Sequence, residues 1–319
     1  MTTHLVRDFT AQLPHLKVGG LEAGDPSNPR VVLLHGFPEL SESWRDILPL
    51  LASAGLHAVA PDLRGYGQTD KPREGYDLDS LAGDVVALVD HLRAKHGGGR
   101  AHVVGHDWGG AIAYHTAAHH PDRVERLAVV NCPHPSVMAR KLWRPNQLAR
   151  SWYMFFFQLP FLPERVLTSD EGHRVTSIMR RAMKDDSRLT QSRALPYAQN
   201  FSDPHAARCA LAYYRTMIRG ALTPAGMKRL LSSYPRIEAP FRLVWGTEDV
   251  ALSIGLTREL EPFFVQPLAV DYLPGVGHFA TIEAPERVAA SLIEHLIVDV
   301  AEAARSADGW APPHARPPA

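Results

Sequence analysis

Asp107 lies between glycines in a segment that could bring an ionised carboxylate to the start of a helix. The run AHVVGHDWGGAIAYHTAAHHP predicts a buried strand, a turn at 105–109 and a helix that ends before Pro121. Glycine on both sides permits a strained turn that exposes the central side chain, as in the G-x-S-x-G turn with aspartate in place of serine. Since helix starts stabilise negative charge, we predict that Asp107 is ionised and attacks carbon to form an alkyl ester. Simple capping of the helix is the alternative.

His278 and Asp249 follow later predicted strands and could act as a base and its orienting acid. Asp249 lies in the run FRLVWGTEDV, and His278 lies in the run LPGVGHFA after the next strand. An unperturbed imidazole has a pKa near ~6.5, so His278 could take a proton from water at neutral pH. A carboxylate on its other ring nitrogen would fix the tautomer. Glu248 adjoins Asp249 as an alternative acid, and we favour Asp249.

The segment HGFPE at 35–39 follows the apolar run VVLL and could supply an anion-binding amide. Where a strand–turn–helix carries the nucleophile, this loop donates a backbone N–H to the negative oxygen. We assign the backbone N–H groups of Phe37 and Trp108 to the oxygen that becomes negative when water attacks the ester. His35 is predicted to be a buried residue that braces the loop and has no chemical role.

Short apolar runs that alternate with amphipathic helices predict the scaffold that positions these residues. The predicted strands are 31–34, 57–60, 102–104, 127–130, 241–245 and 268–272. Apolar residues at helical spacing occupy 81–92 and 288–300. This alternation predicts an α/β fold with a mostly parallel sheet and helices on both faces.

The alternation stops between 134 and 235, where arginine and aromatic residues concentrate and helical spacing prevails. We predict that 134–235 form a helical cap inserted into one core made of 1–133 and 236–305. The cap would lie over the strand ends where α/β sheets bind ligands. The Pro-rich stretch 306–319 is predicted to be a disordered tail.

Composition argues against several classes of partner. The 34 basic and 34 acidic residues cancel and no long basic run occurs, so nucleic acid is not expected. Cys132 and Cys209 are too few for a disulfide framework, which fits a reducing compartment. Residues 1–18 lack the uninterrupted apolar stretch of a signal peptide, so a cytoplasmic protein is predicted. No apolar window reaches the ~18 residues of a membrane span.

His115 and His119 have metal-ligand spacing but no acidic third ligand nearby in the sequence, so a solvated helix face is expected and no metal.

These residues resemble the α/β-hydrolase epoxide hydrolases over 20–297. The likeness is carried by HGFPE, DLRGYGQTDKP, GHDWGG, WGTED and GVGHF. It implies two cap tyrosines that donate hydrogen bonds to an epoxide oxygen. Tyr153 resembles the first and Tyr214 the second, with the adjacent Tyr213 left open as an alternative. It implies no metal or organic cofactor.

The resemblance implies an enzyme that converts a small, largely apolar epoxide to a vicinal diol. Asp107 would open the ring, and water activated by His278 would then cleave the ester. We expect the substrate to contact Phe37, Trp108, Trp152, Phe157 and Phe279. The implied partners are the epoxide and water, and an apolar cap surface could support a homodimer.

Dehalogenases share the aspartate nucleophile and are the alternative function. In haloalkane dehalogenases the tryptophan after the nucleophile holds the halide, a place that Trp108 occupies, and Trp143 or Trp152 could be a second donor. However, Phe37 replaces the Asn or Glu that many of them carry. Haloacetate dehalogenases have arginines where Trp108 and Ala111 stand here. A non-catalytic binding protein would not need the complete set of catalytic residues.

Overall fold

A computed structural model describes residues 5–224, 226 and 234–297, which form one eight-stranded sheet flanked by helices. The strands are β1 (Arg7–Gln12), β2 (Lys17–Ala23), β3 (Arg30–Leu34), β4 (His57–Pro61), β5 (Ala101–His106), β6 (Val124–Val130), β7 (Phe241–Gly246) and β8 (Leu268–Leu273). The α-helices are α1 (Leu48–Ser53), α2 (Leu78–His96), α3 (Trp108–His119), α4 (Pro135–Lys141), α5 (Pro145–Arg150), α6 (Trp152–Phe156), α7 (Leu162–Thr168), α8 (His173–Ala182), α9 (Gln191–Ser202), α10 (Pro204–Ala221), α11 (Ala280–Glu283) and α12 (Pro285–Leu296).

The predicted mostly parallel sheet is confirmed. The strand order is β1-β2-β4-β3-β5-β6-β7-β8, and all pairs from β4 to β8 are parallel. Each predicted strand lies within one of β3 to β8. The first two strands were not predicted; β2 pairs antiparallel with both β1 and β4. Their signal was the alternation of β1, in which Phe9 and Ala11 are buried between exposed neighbours.

The central strands are buried on both faces, as their apolar composition requires. Along β3, Val32 and Leu34 belong to the core cluster that includes α2 and α3. Val31 and Leu33 belong to the opposite cluster, which includes α1 and α12. Alternate residues of one strand therefore anchor the helices of both layers and fix the position of its carboxyl end.

Between β6 and β7, the described residues carry α4 to α10. The core and cap boundaries at 134–235 remain predictions. The tail at 306–319 and the last predicted core residues, 298–305, lie outside the described residues. Within the part of the chain that the structure describes, no helix combines the length and apolar character needed to cross a bilayer.

Acid is expected to destabilise this fold through buried histidines. Burial lowers the pKa of His134 to about 3 and the pKa values of His102 and His295 to about 4. An unfolded histidine with a pKa of ~6.5 binds a proton throughout the interval between these values, whereas the folded one does not. The free energy of unfolding should therefore fall as the pH decreases from ~6.5 towards 4, by at most ~1.4 kcal/mol per pH unit for each histidine.

Denaturant titrations across that interval measure this dependence. The His134 ring stacks on Phe263. A phenylalanine at this position can keep that stacking but has no titratable nitrogen, so the variant His134→Phe should show a shallower decline than the wild type. An unchanged slope in the variant would show that His134 does not contribute.

Candidate active site

The predicted catalytic residues meet at one edge of the sheet. Phe37 follows β3, Asp107 follows β5, Asp249 follows β7 and His278 follows β8. Because these strands are parallel, their carboxyl ends lie along the same edge, and the loops that leave them converge.

The turn that carries Asp107 is tight enough to require its glycines. Asp107 has φ 49° and ψ −120°, a conformation that side chains rarely adopt. A Cβ on Gly105 would lie 2.1 Å from the Gly109 carbonyl oxygen, and one on Gly109 would lie 2.2 Å from the Leu34 carbonyl oxygen. A Cβ on Gly36 would lie 2.4 Å from the Asp107 Cβ. Close packing of the two loops thus presses the carboxylate against the backbone of the Gly36 loop.

The two oxygens of the Asp107 carboxylate have different surroundings. The backbone N–H of Phe37 donates to Oδ1 at 2.8 Å, and the backbone N–H of Trp108 also hydrogen-bonds the carboxylate. Oδ2 lies 3.7 Å from His278 Nε2. Burial raises the pKa of Asp107, while His278, His106 and the two amides oppose that rise. The helix start therefore offsets the burial of this acid only in part.

His278 is oriented by Asp249. Its Nδ1 lies 2.8 Å from Asp249 Oδ2, so Nδ1–H donates and Nε2 faces Asp107. The backbone N–H groups of Ala251 and Leu252 each donate to Asp249 Oδ1 at 2.8 Å. Glu248, the alternative acid, is exposed at the surface. The geometry selects Asp249 as the carboxylate partner of the imidazole.

The pKa of His278 differs from the expected ordinary value. Burial alone would lower it, but the charge and hydrogen bond of Asp249, followed by the charges of Asp107 and Glu39, raise the pKa of His278 to about 9. These charges favour the protonated imidazole in the free site. Loss of one of them would lower the pKa of His278 and favour the neutral ring, which is the form that can accept a proton.

Asp107→Asn is expected to lower the pKa of His278, because asparagine removes the negative charge that faces Nε2, as an ester would. An NMR titration of the His278 ring would measure the shift. Asp249→Asn serves as a reference and should lower the pKa further, since Asp249 makes the larger contribution. An unchanged pKa in Asp107→Asn would contradict the coupling between Asp107 and His278.

A cavity of about 710 Å³ lies over this sheet edge. Its lining includes Asp107, His278, Tyr153, Tyr214, Phe37, Phe157, Phe279 and Trp152. Tyr153 comes from α6 and Tyr214 from α10, so the helical insertion supplies the wall opposite the strand ends. The ring centroids of the two tyrosines are 5.9 Å apart, at an interplanar angle of 82°.

Tyr214 rather than Tyr213 faces the cavity. The Tyr213 hydroxyl donates to the Arg64 carbonyl at 2.7 Å, and Tyr213 is absent from the cavity wall. Burial, together with the negative charge of Asp107, raises the pKa of both Tyr153 and Tyr214. Both phenols therefore keep their protons at neutral pH and can donate hydrogen bonds into the cavity.

Comparisons with known proteins identify the family. Residues 29–285 match the model of the α/β-hydrolase fold family. Epoxide hydrolase 3 of Xenopus tropicalis is 33% identical over 83% of this chain and 71% of its own length. The chain belongs to the epoxide hydrolase group of α/β-hydrolases.

Another relative and a solved structure also support the α/β-hydrolase assignment. The AB hydrolase superfamily protein YfhM of Bacillus subtilis is 33% identical over 86% of this chain and 92% of its own length. A solved structure described among novel epoxide hydrolases from metagenomes of hot environments has a TM-score of 0.75 and 30% identity. That likeness covers 92% of this chain and 99% of the solved one. The predicted resemblance is confirmed.

Sequence reasoning did not foresee a buried ion pair beneath the site of this hydrolase. Glu39 Oε2 lies 2.5 Å from His106 Nδ1, and both side chains are fully buried. His106 Nε2 donates to the His278 carbonyl at 2.8 Å, and the Gly36 N–H donates to Glu39 Oε2 at 2.8 Å. The pair ties together the loops that carry Phe37, the nucleophile turn and His278. Glu39 lies within the HGFPE segment, but nothing local indicated its partner.

Asn131 is a second unforeseen member of the site. It follows β6 with φ 42°, and its Nδ2 donates to Asp249 Oδ2 at 2.8 Å. Its Oδ1 accepts the Gly246 N–H at 3.0 Å, which fixes the amide orientation. The available signal was its position at the carboxyl end of a parallel strand.

The tryptophans differ in their relation to the cavity. The Trp108 ring packs edge-on against Tyr213 at 5.4 Å and Tyr214 at 5.1 Å, and it does not line the cavity. The expected substrate contact of Trp108 stays a prediction. Trp152 lines the cavity but is 63% exposed, whereas Trp143 is 67% exposed and lies off the wall.

The structure agrees with the prediction for His35 and contradicts the prediction for His115. His35 is buried; its Nδ1 donates to the Gly36 carbonyl and its Nε2 accepts the Leu63 N–H, each at 2.9 Å, as a bracing residue would. The expected solvated face is wrong for His115, which is buried with Nε2 2.7 Å from Asp79 Oδ1. Within 5–224, 226 and 234–297, no cluster of three or more His, Cys, Asp or Glu side chains could hold a metal.

Proposed function

We propose that this hydrolase converts an epoxide to a vicinal diol through a covalent ester on Asp107. The observation that carries the proposal is that Tyr153 and Tyr214 line the same cavity as the carboxylate. A ring-opening epoxide oxygen becomes an alkoxide and needs a proton donor. Two protonated phenols opposite the nucleophile meet that need.

In the first step Asp107 Oδ2 attacks a ring carbon and the carbon–oxygen bond of the epoxide breaks. Oδ2 is the better nucleophile because Oδ1 is held by the Phe37 amide. Tyr153 and Tyr214 donate hydrogen bonds to the leaving oxygen, which takes a phenolic proton. The phenolate so formed takes up, through solvent, the proton that His278 releases once the Asp107 charge is gone. The product is a neutral hydroxyalkyl ester.

In the second step His278 acts as a base, with Asp249 steadying its imidazolium. Formation of the ester removes the Asp107 charge, so the pKa of His278 falls and neutral Nε2 becomes available. Water loses a proton to Nε2 and attacks the ester carbonyl carbon. Oδ1 becomes negative in the tetrahedral species and is stabilised by the Phe37 and Trp108 amides. One such donor is worth roughly 2.7–4 kcal/mol in a well-studied protease.

Collapse of the tetrahedral species breaks the bond from the carbonyl carbon to Oδ2, and the departing diol oxygen takes the proton of the new carboxyl group. The products are the diol, the Asp107 carboxylate and protonated His278.

The cavity walls favour an apolar group next to the epoxide. Phe37, Phe157 and Phe279 contribute aromatic surface close to Asp107 and His278. Water and the epoxide are the proposed partners. Cytoplasmic location, the homodimer and the limits of the cap remain predictions from the sequence.

The dehalogenase alternative has less support. It needs indole N–H groups that point at a halide, yet Trp108 is absent from the cavity wall and Trp143 lies outside it. Trp152 alone borders the cavity, with most of its side chain in solvent.

A parallel assay separates the two functions. Purified protein is given a panel of aryl and alkyl epoxides and a panel of haloalkanes of matched size, and diol and halide are measured. We expect diol without halide. Halide release without diol would retain Asp107 and His278 but would reject the tyrosine pair as the leaving-group donors.

A further inference from the structure

The cavity wall carries far more positive charge than the chain as a whole. Arg150, Arg165, Arg174 and Arg181 line it, and among the described residues Asp107 is the only carboxylate on that wall. Across the sequence, by contrast, 34 basic residues balance 34 acidic ones. The excess is therefore a property of this cavity.

Two of these arginines lie on one face of α8. Arg174, Ile178 and Arg181 all line the cavity and follow helical spacing. The other face of the helix is anchored in the core by Val175 and Met179. Arg165 reaches the same cavity from α7. A fixed helix thus presents its guanidinium groups to the cavity.

None of the four cavity arginines has a carboxylate partner among the described residues. Arg150 donates to the Asp249 carbonyl at 2.7 Å. Among the described residues, the side chains of Arg165, Arg174 and Arg181 form neither a hydrogen bond nor an ion pair. All three are exposed, which places them at the mouth of the cavity.

Some other arginines of the helical insertion do have a carboxylate partner. Arg180 lies 2.9 Å from Asp186, and Arg215 lies 2.5 Å from Glu164. Exposed Arg144 and Arg208 have none among the described residues, so what sets Arg165, Arg174 and Arg181 apart is their place on the cavity wall.

The unpaired arginines of α8 begin close to the loop of His278 and extend away from it along the helix. The His278 backbone N–H donates to the Ala182 carbonyl at 3.1 Å, so the end of α8 lies at the catalytic loop. Arg181 adjoins that contact. Arg174 lies farther back along the helix, roughly 12 Å from Ala182 at ~1.5 Å per residue. A group bound by Arg174 would be separated from the reacting carbon by a spacer.

We propose that the preferred substrates are epoxides with an oxyanionic group, a carboxylate or a phosphate ester, at the end of an apolar tail. Arg165, Arg174 and Arg181 bind that group, since the guanidinium fork matches both oxyanions. The aromatic walls hold the tail and present the epoxide to Asp107. This inference rests on the proposed epoxide hydrolysis and adds a charged end to the largely apolar substrate.

Three substrates with the same epoxide-bearing carbon chain test the proposed anion site. They are the terminal epoxide of undecenoic acid, its methyl ester, and the phosphate ester of the corresponding epoxy alcohol. We expect a higher kcat/KM for the anions than for the methyl ester. Arg174→Gln and Arg181→Gln should each lower kcat/KM for the anions by roughly threefold to fivefold at low salt and leave the ester unchanged. Added salt should weaken the preference. The relative rates of carboxylate and phosphate identify the oxyanion.

Arg73→Gln is the matched control, because Arg73 is exposed and does not line the cavity. It removes the same charge and should preserve the preference for anions. Equal hydrolysis of acid and ester, unchanged in the Arg174 and Arg181 variants, would overturn the substrate proposal while leaving epoxide hydrolysis intact.

A binding measurement tests the anion site separately from the proposed epoxide hydrolysis. Calorimetry with octanoate and methyl octanoate tests the arginines without any chemistry. We expect tighter binding of octanoate, lost in the double variant Arg174→Gln with Arg181→Gln and kept in Arg73→Gln. If no epoxide is hydrolysed, the proposed reaction is wrong and this comparison still decides the anion site. Equal binding of both ligands to the wild type would reject that site.

Discussion

His278→Gln is expected to open one equivalent of epoxide per enzyme molecule and then stop as an ester on Asp107. Glutamine can still hydrogen-bond Asp249, but it cannot accept a proton from water. General base catalysis contributes ~10²–10⁴-fold, so ester hydrolysis should slow by about that factor. Rapid quenching followed by intact mass measurement and peptide mapping detects both the ester and its position.

The exposed His119 supplies a matched control, since His119→Gln makes the same change away from the cavity. That variant should turn over at the wild-type rate without accumulating ester. Sustained turnover by His278→Gln would reject His278 as the base. An ester on any residue other than Asp107 would reject the nucleophile.

Tyr153→Phe and Tyr214→Phe are expected to slow ring opening while leaving ester hydrolysis largely intact. Each removes one donor to a developing alkoxide, and a hydrogen bond to a charged group is worth ~1.5–3 kcal/mol, or roughly tenfold to a hundredfold in rate. The double variant should lose more than either single variant. Pre-steady-state measurement of ester formation and decay resolves the two steps.

Tyr213→Phe is the control for this pair. Its hydroxyl donates to the Arg64 carbonyl rather than into the cavity, so the variant should lose stability and keep its rate of ring opening. Equal slowing of both chemical steps by Tyr153→Phe would point to a packing role for that ring and would remove the main support for an epoxide over a halide.

Asp107, Asp249 and His278 could be predicted because each follows the end of a strand that the local sequence indicates. Glycines around Asp107 indicate the turn, and a parallel sheet brings the ends of β5, β7 and β8 together. Asp249 and His278 therefore meet although β8 separates them in sequence. The strands themselves were predictable because continuous apolar runs are typical of sheets buried on both faces.

What was missed depends on contacts between distant segments. The Glu39 and His106 side chains pair across two loops, and no local pattern reveals that contact. The raised pKa of His278 arises from three carboxylates that the fold gathers around it. Sequence position also cannot show that the rings of Tyr213 and Tyr214 pack edge-on against Trp108.

The arginine face of α8 was equally hidden. Arg174 and Arg181 stand in a segment where arginine is common, and only the packed helix separates the residues that face the cavity from those paired elsewhere. The spacing of the two residues is helical, but the direction of that face depends on the packing of α8 against α9 and the His278 loop.

A single turnover in oxygen-18 water tests the ester on Asp107 most directly. Water attacks the ester carbonyl carbon, and the bond from that carbon to Oδ2 breaks. The diol released in the first turnover should therefore carry only ordinary oxygen, and the heavy oxygen should appear in the Asp107 carboxylate. Heavy oxygen in the diol of the first turnover, with none in Asp107, would show direct attack of water on the epoxide and would contradict the covalent mechanism.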